Sequence, residues 1–191
     1  YTYTFAGWIP SVSAVSGDVT YTATYSAVVN AYTVTWLNHD GMVLETDESV
    51  AYGTTPTYDD ETPVKAPDAK YTYTFAGWSP SVSAVSGDVT YTATFTATVN
   101  TYTVTWLNHD GTVLETDEAV AYGTTPSYDG ETPAKVPDAQ YTYTFAGWSP
   151  SVSAVTGDVT YTAAYSAVVN AYTVTWLNHD GTVLETDEAV A

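Results

Sequence analysis

A chain that repeats itself almost verbatim every 70 residues has few ways to fold. The string YTYTFAGW begins at Tyr1, Tyr71 and Tyr141, and YTVTWLNHDG at Tyr32, Tyr102 and Tyr172, so both recur 70 positions apart. Residues 1–51 match 71–121 at 44 of 51 positions, and 71–121 match 141–191 at 45 of 51. Each period must therefore adopt nearly the same structure, and near-identity of neighbours points to recent duplication. A unit of this size exceeds the roughly 20–50 residues of common solenoid repeats and can hold a small core of its own. The period predicts tandem small domains, beads on a string, not a continuous solenoid.

Within a period, apolar and hydroxyl residues alternate with the two-residue rhythm of a half-buried strand. Tyr71, Tyr73 and Phe75 share one face; Val89, Tyr91, Ala93 and Phe95 form a second such set, and Tyr102, Val104 and Trp106 a third. The intervening Thr residues suit a solvated strand face, since β-branching favours extended backbone while the hydroxyl stays hydrated. A fourth strand is predicted from Thr112 to Ala121, after the turn Asn108-His109-Asp110-Gly111. Asp-Gly between two extended runs is a strong hairpin signal, because Gly supplies the positive φ of the turn cheaply. Pro126, Pro133 and Pro137 punctuate the stretch from Pro126 to Gln140, which lacks helical periodicity and reads as a long ordered loop. Ala97 to Thr101 is all that separates two strand patterns, so connections between beads must be short.

Composition then excludes whole classes of partner. Asp and Glu total 22 against 3 Lys and no Arg, for a net charge of -19. Binding nucleic acid requires clustered cations to neutralise phosphates, and anionic membrane surfaces make the same demand. The chain is nevertheless no disordered acidic tail, being 45% hydrophobic and 15% aromatic. With no Cys it has no disulfide framework and no thiol chemistry, which fits an exported bacterial protein. No apolar run approaches the about 18 residues of a membrane-spanning helix, so no membrane insertion is expected. The sequence opens on Tyr1 inside a strand pattern, its only Met is Met42, and it is read as a fragment.

The succession Y-T-V-T-W, D-G-T-V-L, V-x-Y-G-T-T-P, a Pro-rich segment, F-A-G-W-S-P and a closing Y-T-A-x-Y resembles the Listeria–Bacteroides repeat, the internalin-type B-repeat of bacterial surface proteins. The resemblance covers the whole period. It implies a small β-grasp-like, ubiquitin-like sheet of four main strands, all-β to α+β with minimal helix. It also implies an extracellular location, at the bacterial cell surface or wall, and an adhesin-stalk or spacer role without enzyme activity. The family's usual boundary would make 1–31 the C-terminal half of a truncated repeat, 32–101 and 102–171 complete repeats, and 172–191 the N-terminal half of another. A permuted register starting at Tyr1 is the alternative. In the first, Phe75 belongs with Trp36; in the second, with Trp106.

Candidate sites are few. His39, His109 and His179 each sit in an Asn-His-Asp-Gly turn, with neither a second His nor a nucleophile, so a turn role is expected. Trp36, Trp106 and Trp176 share the parity of the core positions and are predicted to be buried. Trp8, Trp78 and Trp148 follow F-A-G at a strand end and either cap the core or stand partly exposed. With Tyr58 and Tyr128 they are the candidate contacts for a host surface protein or glycan, the partner expected if the beads bind rather than merely space. Otherwise the expected partners are neighbouring repeats in the same chain. Asp59, Asp60 and Glu61 change to Asp129, Gly130 and Glu131 one period on, which suits a solvated loop better than a calcium site. Asp117 and Glu118 read as exposed charge discouraging edge pairing. Lys65 and Lys135 lie among prolines, away from any core strand that could cross-link them. No metal ligand set, phosphate loop or catalytic constellation is present, and no cofactor is expected.

Overall fold

The computed structural model describes residues 1–190. Among them are twelve strands and no helix. The chain divides into two compact units, Tyr1–Ala66 with Tyr73–Thr98, and Pro67–Thr72 with Val99 onward. β1 (Thr2–Ile9) and β2 (Thr22–Val28) form a two-stranded antiparallel sheet. β3 (Ala31–Leu37), β4 (Val43–Ala51), β5 (Tyr71–Ser79) and β6 (Val89–Val99) form a four-stranded sheet in the order β4-β3-β6-β5. One period on, β7 (Thr101–Leu107), β8 (Val113–Ala121), β9 (Tyr141–Ser149) and β10 (Val159–Val169) repeat it as β8-β7-β10-β9. β11 (Tyr172–Leu177) and β12 (Val183–Val190) form a second two-stranded sheet.

Each four-stranded sheet thus joins two antiparallel hairpins through a parallel central pair. The pair is short, running from Val34↔Val89 to Leu37↔Thr92 in one sheet and from Val104↔Val159 to Leu107↔Thr162 in the other. Numbered within the sheet, the order is 2-1-4-3, a β-grasp-like arrangement without its helix. A parallel connection needs a long crossover. Here residues 52–70 and 122–140 supply it as extended chain, with Pro56, Pro63, Pro126 and Pro133 buried. The peptide bonds Ile9-Pro10, Ser79-Pro80 and Ser149-Pro150 are cis.

The core follows the alternation. Val34, Trp36 and Tyr91 of one sheet are buried together with Val85 of the β5–β6 loop, and Val104, Trp106 and Tyr161 of the other with Val155 of the β9–β10 loop. Trp36 packs against Tyr91 with the rings tilted by 30° and centroids 4.8 Å apart, and it meets Trp78 in an edge-type contact at 4.7 Å. Phe75 packs on Trp78 at 5.4 Å, so it reaches the Trp36 cluster through that ring.

Four expectations need correction. Trp176 is not core: it is 55% exposed, because in β11–β12 no strand or crossover lies over it. The fourth strand starts at Val113, not Thr112, whose N–H instead donates to Asp110 Oδ1 at 3.0 Å and closes the turn. The separation between strand patterns is a single residue, Asn100, since β6 runs to Val99 and β7 starts at Thr101. Asp117 does not stand out in solvent. Its carboxylate Oδ2 accepts the indole N–H of Trp106 at 2.9 Å, as Asp47 does for Trp36. A bulge turns it inward: the register jumps between Tyr102↔Val120 and Val104↔Asp117, with Ala119 at φ 60°.

Candidate functional site

Two places in the fold gather side chains that could do more than pack. The first is the aromatic face over the core. Trp106, Trp148 and Tyr128 form a three-ring cluster, with Trp106–Trp148 centroids 4.7 Å apart, Tyr128–Trp148 4.9 Å and Trp106–Tyr128 5.7 Å. Trp36, Trp78 and Tyr58 repeat it with the same spacings. The crossover positions the tyrosines: each phenol donates to a backbone carbonyl three residues on, Tyr58 to Glu61 and Tyr128 to Glu131, both at 3.0 Å. Burial, helped by the negative charge of Asp60, Glu45 and Glu61, raises the Tyr58 pKa, so this phenol stays a neutral donor. In the second sheet these rings, with Phe145, Pro126 and Pro133, line an open groove of about 460 Å³.

Trp78, Trp148, Tyr58 and Tyr128 are half-buried and Trp8 is exposed. The first four are therefore brought into two equivalent clusters. Trp8 has the ring of Phe5 beside it, at 5.4 Å, and lacks the tyrosine that a crossover places beside Trp78 and Trp148.

The second place is the one-residue connection. Asn100 N–H donates to Lys70 O at 2.9 Å, and Asn100 O accepts from Tyr122 N–H at 2.9 Å. Its side-chain amide donates to Asp68 O at 2.7 Å and Ala69 O at 3.2 Å, and its Oδ1 accepts from the Thr72 hydroxyl at 2.7 Å. Tyr102 donates its hydroxyl to Ala69 O. Asn170 repeats the pattern with Gln140 O, Asp138 O and Thr142. Sequence reasoning passed over these asparagines. Their signal was the recurrence of one Asn, at 30, 100 and 170, between two strand patterns.

The remaining candidates have structural partners. Asn38, ahead of His39, accepts the His39 N–H through its side chain at 2.9 Å, and Gly41 closes the turn at φ 86°. The His39 ring stands edge-on to Phe95, and His109 likewise to Tyr165, with centroids 5.4 Å apart in each pair. The N–H groups of Asp59 and Asp60 both donate to Glu45 Oε2, which ties the acidic loop to β4. Burial raises the Glu45 pKa against the lowering effect of those bonds. Lys65 and Lys135 place their ammonium groups over the rings of Tyr73 and Tyr143, at 3.9 and 3.6 Å. Among the described residues no cluster of three or more His, Cys, Asp or Glu could hold a metal ion, and no helix is long and apolar enough to cross a membrane.

A solved structure of similar arrangement is "Streptococcal High Identity Repeats in Tandem (SHIRT) domains 3-4 from cell surface protein". It shares 12% sequence identity and a TM-score of 0.36, covering 73% of this chain and 99% of that one. At that identity and score the likeness carries no argument about what this chain does. No protein-family model and no curated protein matches the chain.

Proposed function

We propose that this chain is part of a structural spacer: a stalk of tandem acidic β-domains in a bacterial cell-surface or secreted protein, with repeats at 32–101 and 102–171 and no enzymatic role. The Listeria–Bacteroides-type motifs support the location, and they rest on sequence alone. The observation that carries the spacer role is the duplication of one four-stranded sheet, β4-β3-β6-β5 and then β8-β7-β10-β9, each with a buried core of its own. The net charge of -19 adds mutual repulsion between near-identical neighbours, which discourages their co-aggregation. Small-angle scattering of arrays with increasing numbers of periods tests the reading: a maximum dimension that grows with each added period supports a spacer, and one that does not grow removes it.

A second reading follows from the groove beside Trp148 and Tyr128. Half-buried rings flanked by prolines suit weak stacking on a glycan or host-protein segment, with avidity from copy number. A glycan array probed with the whole chain tests it. Binding that is lost in Trp148→Ala would favour this reading over the spacer.

A further inference from the structure

Every lysine of this chain lies over a tyrosine ring. Lys65 Nζ stands 3.9 Å from the ring centroid of Tyr73, Lys70 5.0 Å from Tyr71 and Lys135 3.6 Å from Tyr143. These are its only three lysines, and it has no Arg against 22 Asp and Glu. An ammonium is drawn to the negative face of an aromatic ring, and the field of an acidic surface adds to the attraction. The same two ingredients, ring and carboxylate, meet again at the groove of the second sheet. No lysine is left to serve them there.

In that groove of about 460 Å³, Trp148 is the central ring, with Tyr128 at 4.9 Å and Phe145 at 5.4 Å, both in edge-type contacts. Its rim is acidic. Gly130 on the lining is flanked by Asp129 and Glu131, both exposed, and Glu115 Oε2 accepts the N–H groups of Asp129 and Gly130 at 3.1 Å each. Several polar groups on the lining are already engaged. The Tyr128 hydroxyl donates to Glu131 O at 3.0 Å, the Ser127 hydroxyl to Asp129 Oδ1 at 3.2 Å, and the Trp106 indole N–H to Asp117 at 2.9 Å. A sugar would look for free donors and acceptors to match its hydroxyls. A cation needs only ring faces and negative potential. In the first sheet a cavity of about 300 Å³ beside Tyr58 is lined directly by Asp60 and Glu61 together with Leu44 and Val64, the same chemistry in another place.

Resting on the groove-binding reading above, we propose that the groove beside Trp148 and Tyr128 receives an arginine side chain from a basic peptide segment of a partner protein. The guanidinium lies over the rings, and Asp129 and Glu131 face its charge. Arginine fits better than lysine, because its planar head stacks on aromatic faces and bonds a carboxylate through two N–H groups at once. The net charge of -19 turns away acidic peptides and anionic glycans by like-charge repulsion, and draws a basic segment in. Each contact is weak and is screened by salt. Repetition of the period supplies avidity to a partner with several spaced arginines.

Titration of the 191-residue chain with the peptide acetyl-Gly-Arg-Gly-Arg-Gly-amide, followed by NMR, tests this. The Trp148 indole and Phe145 ring signals should shift most, at peptide concentrations of about 1 mM in low salt, and less as salt is raised. The same peptide with citrulline for arginine keeps the shape without the charge and should bind about tenfold more weakly. Trp148→Ala should abolish the shift at Phe145. The double variant Asp129→Asn, Glu131→Gln changes only exposed side chains and should weaken binding about threefold to tenfold, with the Trp106 indole resonance unmoved as the sign of an intact sheet. Equal binding of the citrulline peptide, shifts spread evenly over the acidic surface, or a double variant that binds like the parent chain would overturn the proposal. Chitotriose, a neutral sugar, separates it from the reading beneath. Shifts at Trp148 with chitotriose and none with the arginine peptide would overturn the cationic occupant and leave a groove that binds glycan. Silence with both would overturn the two together.

Discussion

The same substitution at three equivalent positions should have two different costs. Asp47, Asp117 and Asp187 each accept an indole N–H, from Trp36 and Trp106 at 2.9 Å and from Trp176 at 2.8 Å. Trp36 and Trp106 are 1% and 0% exposed, whereas Trp176 is 55% exposed. Replacing Asp117 by Ala leaves a buried N–H with no acceptor, which costs about 1–3 kcal/mol, with hydrogen bonds to charged groups towards the upper end. At Asp187 water replaces the carboxylate, and the cost should be about 0.5 kcal/mol or less. The assay is urea unfolding followed by Trp fluorescence. Because the sheets need not unfold as one transition, Asp117→Ala should shift only part of the curve. Indole N–H exchange rates identify which Trp has lost protection. Equal losses from Asp47→Ala, Asp117→Ala and Asp187→Ala would refute burial as the cause of the difference.

Three other outcomes can be measured alongside. Ala119 sits at φ 60°, a left-handed conformation that costs a non-glycine residue about 1–2 kcal/mol. After the loss of chain entropy that Gly brings, Ala119→Gly should stabilise its sheet by about 0.5–1 kcal/mol in a thermal melt. Lys135→Gln removes the ammonium from the Tyr143 ring and should cost about 0.5–1 kcal/mol in the same melt, the range for partly exposed cation–π pairs. Hydrogen bonds from the Tyr143 hydroxyl and from the Tyr141 and Gln140 N–H groups lower the Asp138 pKa. A lowered carboxylate contributes stability above its unfolded pKa of about 3.9 and loses it as pH falls through the folded value. The stability difference between the parent chain and Asp138→Asn should therefore be constant at neutral pH and shrink on acidification. A difference independent of pH would show that the carboxylate's charge is not involved.

Much of the fold was legible because the local signals agree with each other. Alternation marked Val104 and Trp106 as core, and Asn-His-Asp-Gly marked the hairpin turn, since strand parity and turn φ depend on near neighbours only. What could not be read depends on distant ones. The parallel pairing of Trp106 with Tyr161 joins residues 55 positions apart, and no local periodicity encodes it. Trp176 has the same neighbours in sequence as Trp106 yet lies exposed, because burial requires strands that do not lie beside it here. The charge of Asp117 alone points it outward. The bulge at Ala119 shifts the face of the strand, so that Asp117 and Val120, three residues apart, both turn towards the core side. The candidate site was half legible. The sequence leaves the second Trp series open between lid and exposed ring; Trp78 and Trp148 are half-buried lids that Tyr58 and Tyr128 complete.

The spacer proposal is tested most directly by how length scales with copy number. Strands of 7–11 residues at about 3.3 Å per residue give each period an extent of roughly 25–35 Å. Arrays of two, four and six periods, built on the 32–101 unit and measured by small-angle scattering at low concentration, should increase their maximum dimension by a constant step of that order. A maximum dimension that levels off as periods are added would contradict a stalk whose reach is set by the number of repeats.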